Sequence, residues 1–137
     1  DNPLHIACKI ENINIVKYLI DNKVYINISN NEDDTPLHIA CKKNNENITK
    51  YLISNNAYTN ISNKNGFTPL QYTYLIKNKN LMNYLIFNGT NLNVKDNNGQ
   101  ILLHFARIDD ENYDIAKYLI DSEIYIFKMI MEKHLWI

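Results

Sequence analysis

Glycine is almost missing from this chain, with three among 137 residues. That leaves no glycine-rich loop whose backbone amides could cradle a phosphate. Neither is there a Ser/His/Asp set with a local signature, nor a pair of carboxylates on a rigid frame for acid–base work. Charge of one sign is not in surplus either. The formal net charge is −1, which gives no general electrostatic case for nucleic acid or an anionic membrane as partner. No stretch is long and apolar enough to span a bilayer, and no charged-then-apolar leader precedes the first structured segment. Asp1 falls in the cap region of a helix with no initiator Met, so a piece of a longer protein is expected.

Repetition is what the chain does contain. The phrase Thr35-Pro36-Leu37-His38-Ile39-Ala40 recurs as Asn2-Pro3-Leu4-His5-Ile6-Ala7, as Thr68-Pro69-Leu70-Gln71-Tyr72-Thr73 and, more worn, as Ile101-Leu102-Leu103-His104-Phe105-Ala106, each copy 33 residues from the last. A second marker, Tyr-Leu-Ile, begins at Tyr18, Tyr51, Tyr84 and Tyr118, where the last interval is one residue longer. Asn27, Asn60 and Asn93 form a third marker, again 33 apart. Self-similarity at a fixed period of this length identifies a repeat architecture.

The phrase reads as the start of a short helix. Thr35 can accept from the orphan amides of the first turn, and Pro36 suits the first helical position, where no amide hydrogen is needed. Leu37, Ala40 and Cys41 then share one face. At about two turns, such a helix is too short to stand alone in water. The segment ending Thr49-Lys50-Tyr51-Leu52-Ile53 reads as a second short helix, and Ile13, Val16, Leu19 and Ile20 give its counterpart in the first unit an apolar face. Every unit therefore needs a neighbour to bury its surface.

On these residues the chain resembles the ankyrin-repeat family, whose phrase is Thr-Pro-Leu-His-x-Ala on a 33-residue period, over residues 1 to about 123. The resemblance implies a mainly α solenoid, each unit a helix pair followed by a β-hairpin. One domain is expected, with units at about 1–33, 34–66, 67–99 and 100–133. The fourth lacks its cap and proline and has an extra residue within Asp109-Asp110-Glu111-Asn112. It runs into an apolar, degenerate tail, 124–137, which breaks the pattern at Phe127. Asp33 stands where the family's hairpin has Gly, a position that usually needs positive φ. The richness in Asn, Ile, Lys and Tyr resembles ankyrin proteins of poxviruses, some protists and some anaerobic fungi and reflects AT-rich codons. It also multiplies chance Asn-x-Ser/Thr sequons, at Asn27, Asn47, Asn60 and Asn88.

Three constellations are weighed for chemistry. His5, Cys8, His38 and Cys41 have the residue types of a zinc set, but equivalent residues of adjacent units lie about 8–10 Å apart, whereas zinc needs its ligands at about 2.0–2.3 Å. A Cys8–Cys41 disulfide fails on the same spacing, since bridged α-carbons lie within about 7 Å. Both cysteines read as small buried hydrophobes in a reducing compartment, cytoplasmic or similar. In the family the repeated His ties neighbouring turns by hydrogen bonds, and Gln71 can substitute because it too carries a donor and an acceptor. Tyr18, Tyr51, Tyr84 and Tyr118 read as a half-buried ladder, in preference to a ligand stripe.

The resemblance implies no enzyme, no cofactor and no metal. Its implied function is binding an unidentified protein through the concave face. The alternative is a recruiting arm for a larger enzyme or ubiquitin-ligase adaptor whose active domain lies outside the segment. Carried over residue by residue, the binding positions are Asn31, Glu32 and Asp34 at the first tip, Lys64, Asn65 and Phe67 at the second, and Asn97, Asn98 and Gln100 at the third. Lys9, Lys42 and Leu75 are the exposed positions of the first helices. Phe67 and Leu75 stand out, because a merely solvated face would be polar there.

Overall fold

In the first three units the first helix is started by a cap, a proline and a residue that reaches back. The computed structural model describes residues 1–92 and 94–99, with 117, 120 and 121. Asn2 accepts from the His5 amide at 3.0 Å while the Asn2 amide donates to His5 Nδ1, and Thr35 with His38 repeats the exchange. In the third copy Gln71 Oε1 takes the Thr68 amide at 2.8 Å. These reciprocal caps launch α1 (Pro3–Lys9), α3 (Pro36–Lys42) and α5 (Pro69–Ile76). The second helices are α2 (Ile13–Asp21), α4 (Glu46–Ser54) and α6 (Lys79–Phe87).

Asparagine, attributed above to codon bias, occupies fixed structural posts. Asn12, Asn45 and Asn78 cap the second helices, accepting from the amides of Ile15, Ile48 and Leu81 at 3.0–3.1 Å. Asn22, Asn55 and Asn88 end them, donating to the Tyr18, Tyr51 and Tyr84 carbonyls. Asn27 accepts from the Tyr58 amide at 2.8 Å and Asn60 from the Asn91 amide at 2.7 Å, so each ties its unit to the next.

Glycine's scarcity becomes a backbone matter. Left-handed residues recur at three posts per unit: Glu11, Asn44 and Lys77; Lys23, Asn56 and Gly89; Asp33, Gly66 and Gly99. Six of these nine have a side chain in a region that costs an L-residue about 1–2 kcal/mol. Asp33, with φ 59°, meets the expectation for its position.

The core is a seam. α1 packs on α2 and α3, α3 on α4 and α5, α5 on α6, and α2 on α4. Leu4, Val16, Leu37, Ile48, Leu52, Leu70, Met82 and Leu85 are buried along it, with Cys8 and Cys41 among them. The implied β-hairpins are a point of difference, for among the described residues there is no strand. The tips are turns instead. Asn30 and Asn63 side chains take two amides each, those of Glu32 and Asp34 and those of Asn65 and Phe67. Successive tips share one backbone bond apiece, Lys64 N to Glu32 O and Asn97 N to Asn65 O, too few for a ladder. The worn phrase at 101–106, the insertion at 109–112, Tyr118 and the tail 124–137 lie outside the described residues.

Candidate functional site

The residue two places before each first helix's proline and the residue six places after it are equivalent across the units, which gives couples in register at Asp1/Lys9, Asp34/Lys42 and Phe67/Leu75. The first two are ion pairs, the second at 2.5 Å. Asn30 and Asn63 steady the carboxylates, each donating to its aspartate at 2.8 Å. Burial opposes the Lys42 charge, but the hydrogen bond and charge of Asp34 outweigh it and hold the ammonium above the ordinary lysine range. Asp34 departs from the expected tip position: it is 3% exposed, clasped by Lys42 and Asn63. The acidic residues exposed at that tip are Glu32 and Asp33.

The third couple is apolar. Phe67 is half-buried with its ring edge-on to Tyr72, centroids 5.6 Å apart. Leu75 is 55% exposed. Tyr72 joins the two kinds of couple, since Lys42 Nζ lies 4.8 Å from its ring centroid and Asn63 donates to its hydroxyl at 2.7 Å. Asp34, Lys42 and Phe67 thus meet in one cluster around Tyr72. Asn31, Glu32, Lys64, Asn65, Asn97 and Asn98 are exposed along the row of tips. Lys9 belongs to the first couple, and Gln100 lies outside the described residues.

Beneath this face the histidines join units. His5 Nε2 lies 2.9 Å from the Asp34 carbonyl and His38 Nε2 2.9 Å from that of Phe67. A carbonyl can only accept, so Nε2 carries the proton and Nδ1 is free to accept from the Asn2 or Thr35 amide. Burial lowers both pKa values against these carbonyl bonds.

A family model described as ankyrin repeats (3 copies) matches residues 1–63 and again 57–130. The chain belongs to the ankyrin-repeat family. A search of curated proteins found no match. Ankyrin repeats are in general protein-interaction modules and non-catalytic scaffolds.

Within this ankyrin array Tyr72 is the functional candidate that sequence reasoning missed. Its signal was present: it fills the variable position of the phrase, where Ile6 and Ile39 stand in the earlier ankyrin units. Cys8 and Cys41 are free and buried, and burial pushes both thiols up to about 12. No group of three His, Cys, Asp or Glu residues placed to hold a metal ion occurs among the described residues. No helix among them is long and apolar enough to cross a membrane. Of the tyrosine ladder, Tyr51 and Tyr84 are half-buried and Tyr18 is 67% exposed, while Tyr118 lies outside the described residues. The arrangement offers contact area, seated charges and hydrogen-bonding tips.

Proposed function

We propose that the chain binds a partner protein through the tips and first helices, with Phe67, Tyr72 and Leu75 as the centre of the contact. One observation carries this reading: the couple that is an ion pair in the first two units is Phe67/Leu75 in the third, and it leaves Leu75 open to solvent. An apolar centre ringed by the polar tip residues Lys64, Asn65, Asn97 and Asn98 has the anatomy of an interface hot spot. Two buried free thiols support a reducing compartment.

The test is to write the second unit's couple into the third, as Phe67→Asp/Leu75→Lys. The probe is the partner recovered by affinity capture with the wild-type chain. An exposed ion pair contributes only about 0–1 kcal/mol, whereas loss of a hot spot costs about 1–2 kcal/mol or more. Affinity should fall at least about fivefold. Because Phe67 leans on Tyr72, Leu75→Ala is the cleaner single change and should weaken binding with little effect on melting. Undiminished binding by both variants would reject the reading.

A further inference from the structure

Away from the tips, a shallow groove crosses the second helices, lined by Ile13, Lys17, Lys50, Tyr51, Ser54 and Tyr84. Its cations are seated, one unit after the next. Lys17 on α2 reaches over to Tyr51 on α4, its Nζ 5.5 Å from the ring centroid, and Lys50 on α4 reaches to Tyr84 on α6 at the same distance. An ammonium held against a ring face keeps its other side toward solvent, ready for an anion, with part of its conformational freedom already given up. The ion pairs among the described residues use Lys9, Lys42 and Lys50, so Lys17 is balanced by none of them. Lys50 meets Glu46 only at 3.9 Å, and Glu46 also accepts from Asn78 at 2.9 Å.

Spacing specifies the occupant. Packed neighbouring helices lie about 8–10 Å apart, and three residues of an extended polyproline II chain rise about 9 Å and return the side chain to the same face. We propose that this groove binds an extended acidic peptide segment running across α2, α4 and α6, with carboxylates three residues apart paired to Lys17 and Lys50 and its backbone lying on the tyrosines. Two seated cations suit a short acidic motif. A nucleic acid or anionic membrane draws its affinity from many phosphate contacts, and a chain of net charge −1 is poorly furnished for that.

Fluorescence anisotropy on the whole chain tests the proposal with a labelled peptide carrying Glu at every third position among Ser and Ala, and an isomer of the same composition with its glutamates adjacent. The spaced peptide should bind up to about fivefold tighter than the isomer. Lys17→Gln/Lys50→Gln should abolish that preference, Lys17→Arg/Lys50→Arg should keep it, and Lys43→Gln should leave it unchanged. Circular dichroism melts should be alike for all of them, which separates a lost contact from a lost fold. Equal binding of the two peptides, retention of the preference by the double Gln variant, or equally tight binding of single-stranded DNA or phosphatidylserine vesicles would each overturn it.

Discussion

The second and third units share one frame and present different faces. Both begin with Thr-Pro, both cap the second helix with Asn, and both carry three left-handed residues at the same posts. On the outside, Asp34 and Lys42 give way to Phe67 and Leu75. Beneath, His38 gives way to Gln71, which still closes the cap at 2.8 Å. The left-handed posts differ too, with Asn44 and Asn56 in one unit and Lys77 and Gly89 in the next. Framework positions are thus fixed by backbone geometry, which a small set of side chains can satisfy, whereas the face varies by exchanging one set of contacts for another, an aspartate held by Asn63 in one unit and a ring edge-on to Tyr72 in the next.

The sharpest way to break the comparison is Gly66→Ala. A Cβ there would stand 2.6 Å from Asn97 N and 2.8 Å from Asn97 Oδ1, at φ 77°. Left-handed strain and overpacking together should cost about 3 kcal/mol in urea unfolding. Gly89→Ala meets nothing within 4 Å and should cost about 1 kcal/mol. Equal losses would mean that the contact with the next tip has no energetic weight.

Acid titration separates His38 from Gln71. Both histidines have lowered folded pKa values, from desolvation first, so the unfolded chain takes up protons more readily. Stability should be complete above about 6.5 and decline as pH falls from there toward the lower folded values, because the unfolded state binds more protons in that window. His38→Gln copies the third unit's solution. It should cost about 1 kcal/mol at neutral pH, for the lost bond to the Phe67 carbonyl, and flatten the acid limb of a stability curve. An unchanged limb would place the titration elsewhere.

How much of this could be read from the residues depended on the kind of position. Helix starts followed directly from Pro3, Pro36 and Pro69, and the buried, unpaired state of Cys8 and Cys41 followed from the repeat spacing. The Asn posts were hidden because an Asn-rich chain offers no contrast between a cap and a chance Asn; only the period of 33 through Asn12, Asn45 and Asn78 distinguishes them. The contacts of Tyr72 and the burial of Asp34 were out of reach for another reason. Each depends on contacts made 29 or 30 residues away, Asp34 with Asn63 and Tyr72 with Asp34's own partner Lys42 at 4.8 Å, which no local pattern encodes.

The smallest expected effect sharpens the glycine contrast from the other side. Lys23 is exposed at φ 65°, so Lys23→Gly removes left-handed strain at the cost of a freer unfolded chain. The net should be a gain of about 0.5 kcal/mol, visible as a raised denaturation midpoint. A lowered midpoint would show that the lysine side chain holds the turn.

All three glycines follow an asparagine, at Asn65-Gly66, Asn88-Gly89 and Asn98-Gly99. An Asn-Gly bond ages chemically: the glycine nitrogen attacks the asparagine amide carbon, ammonia leaves, and the resulting succinimide opens to Asp or isoAsp. In the folded chain each of those nitrogens already donates to a carbonyl three residues back, to Asn63 at 2.9 Å, Ile86 at 3.2 Å and Asp96 at 3.0 Å, a bond that must break before the nitrogen can attack. Shelf life is therefore tied to local opening. Deamidation at Asn65 should follow the unfolding of its own tip, and mass spectrometry of aged samples with and without mild urea would record how often that tip comes undone. Equal rates in the two samples would show that the turn gives no protection.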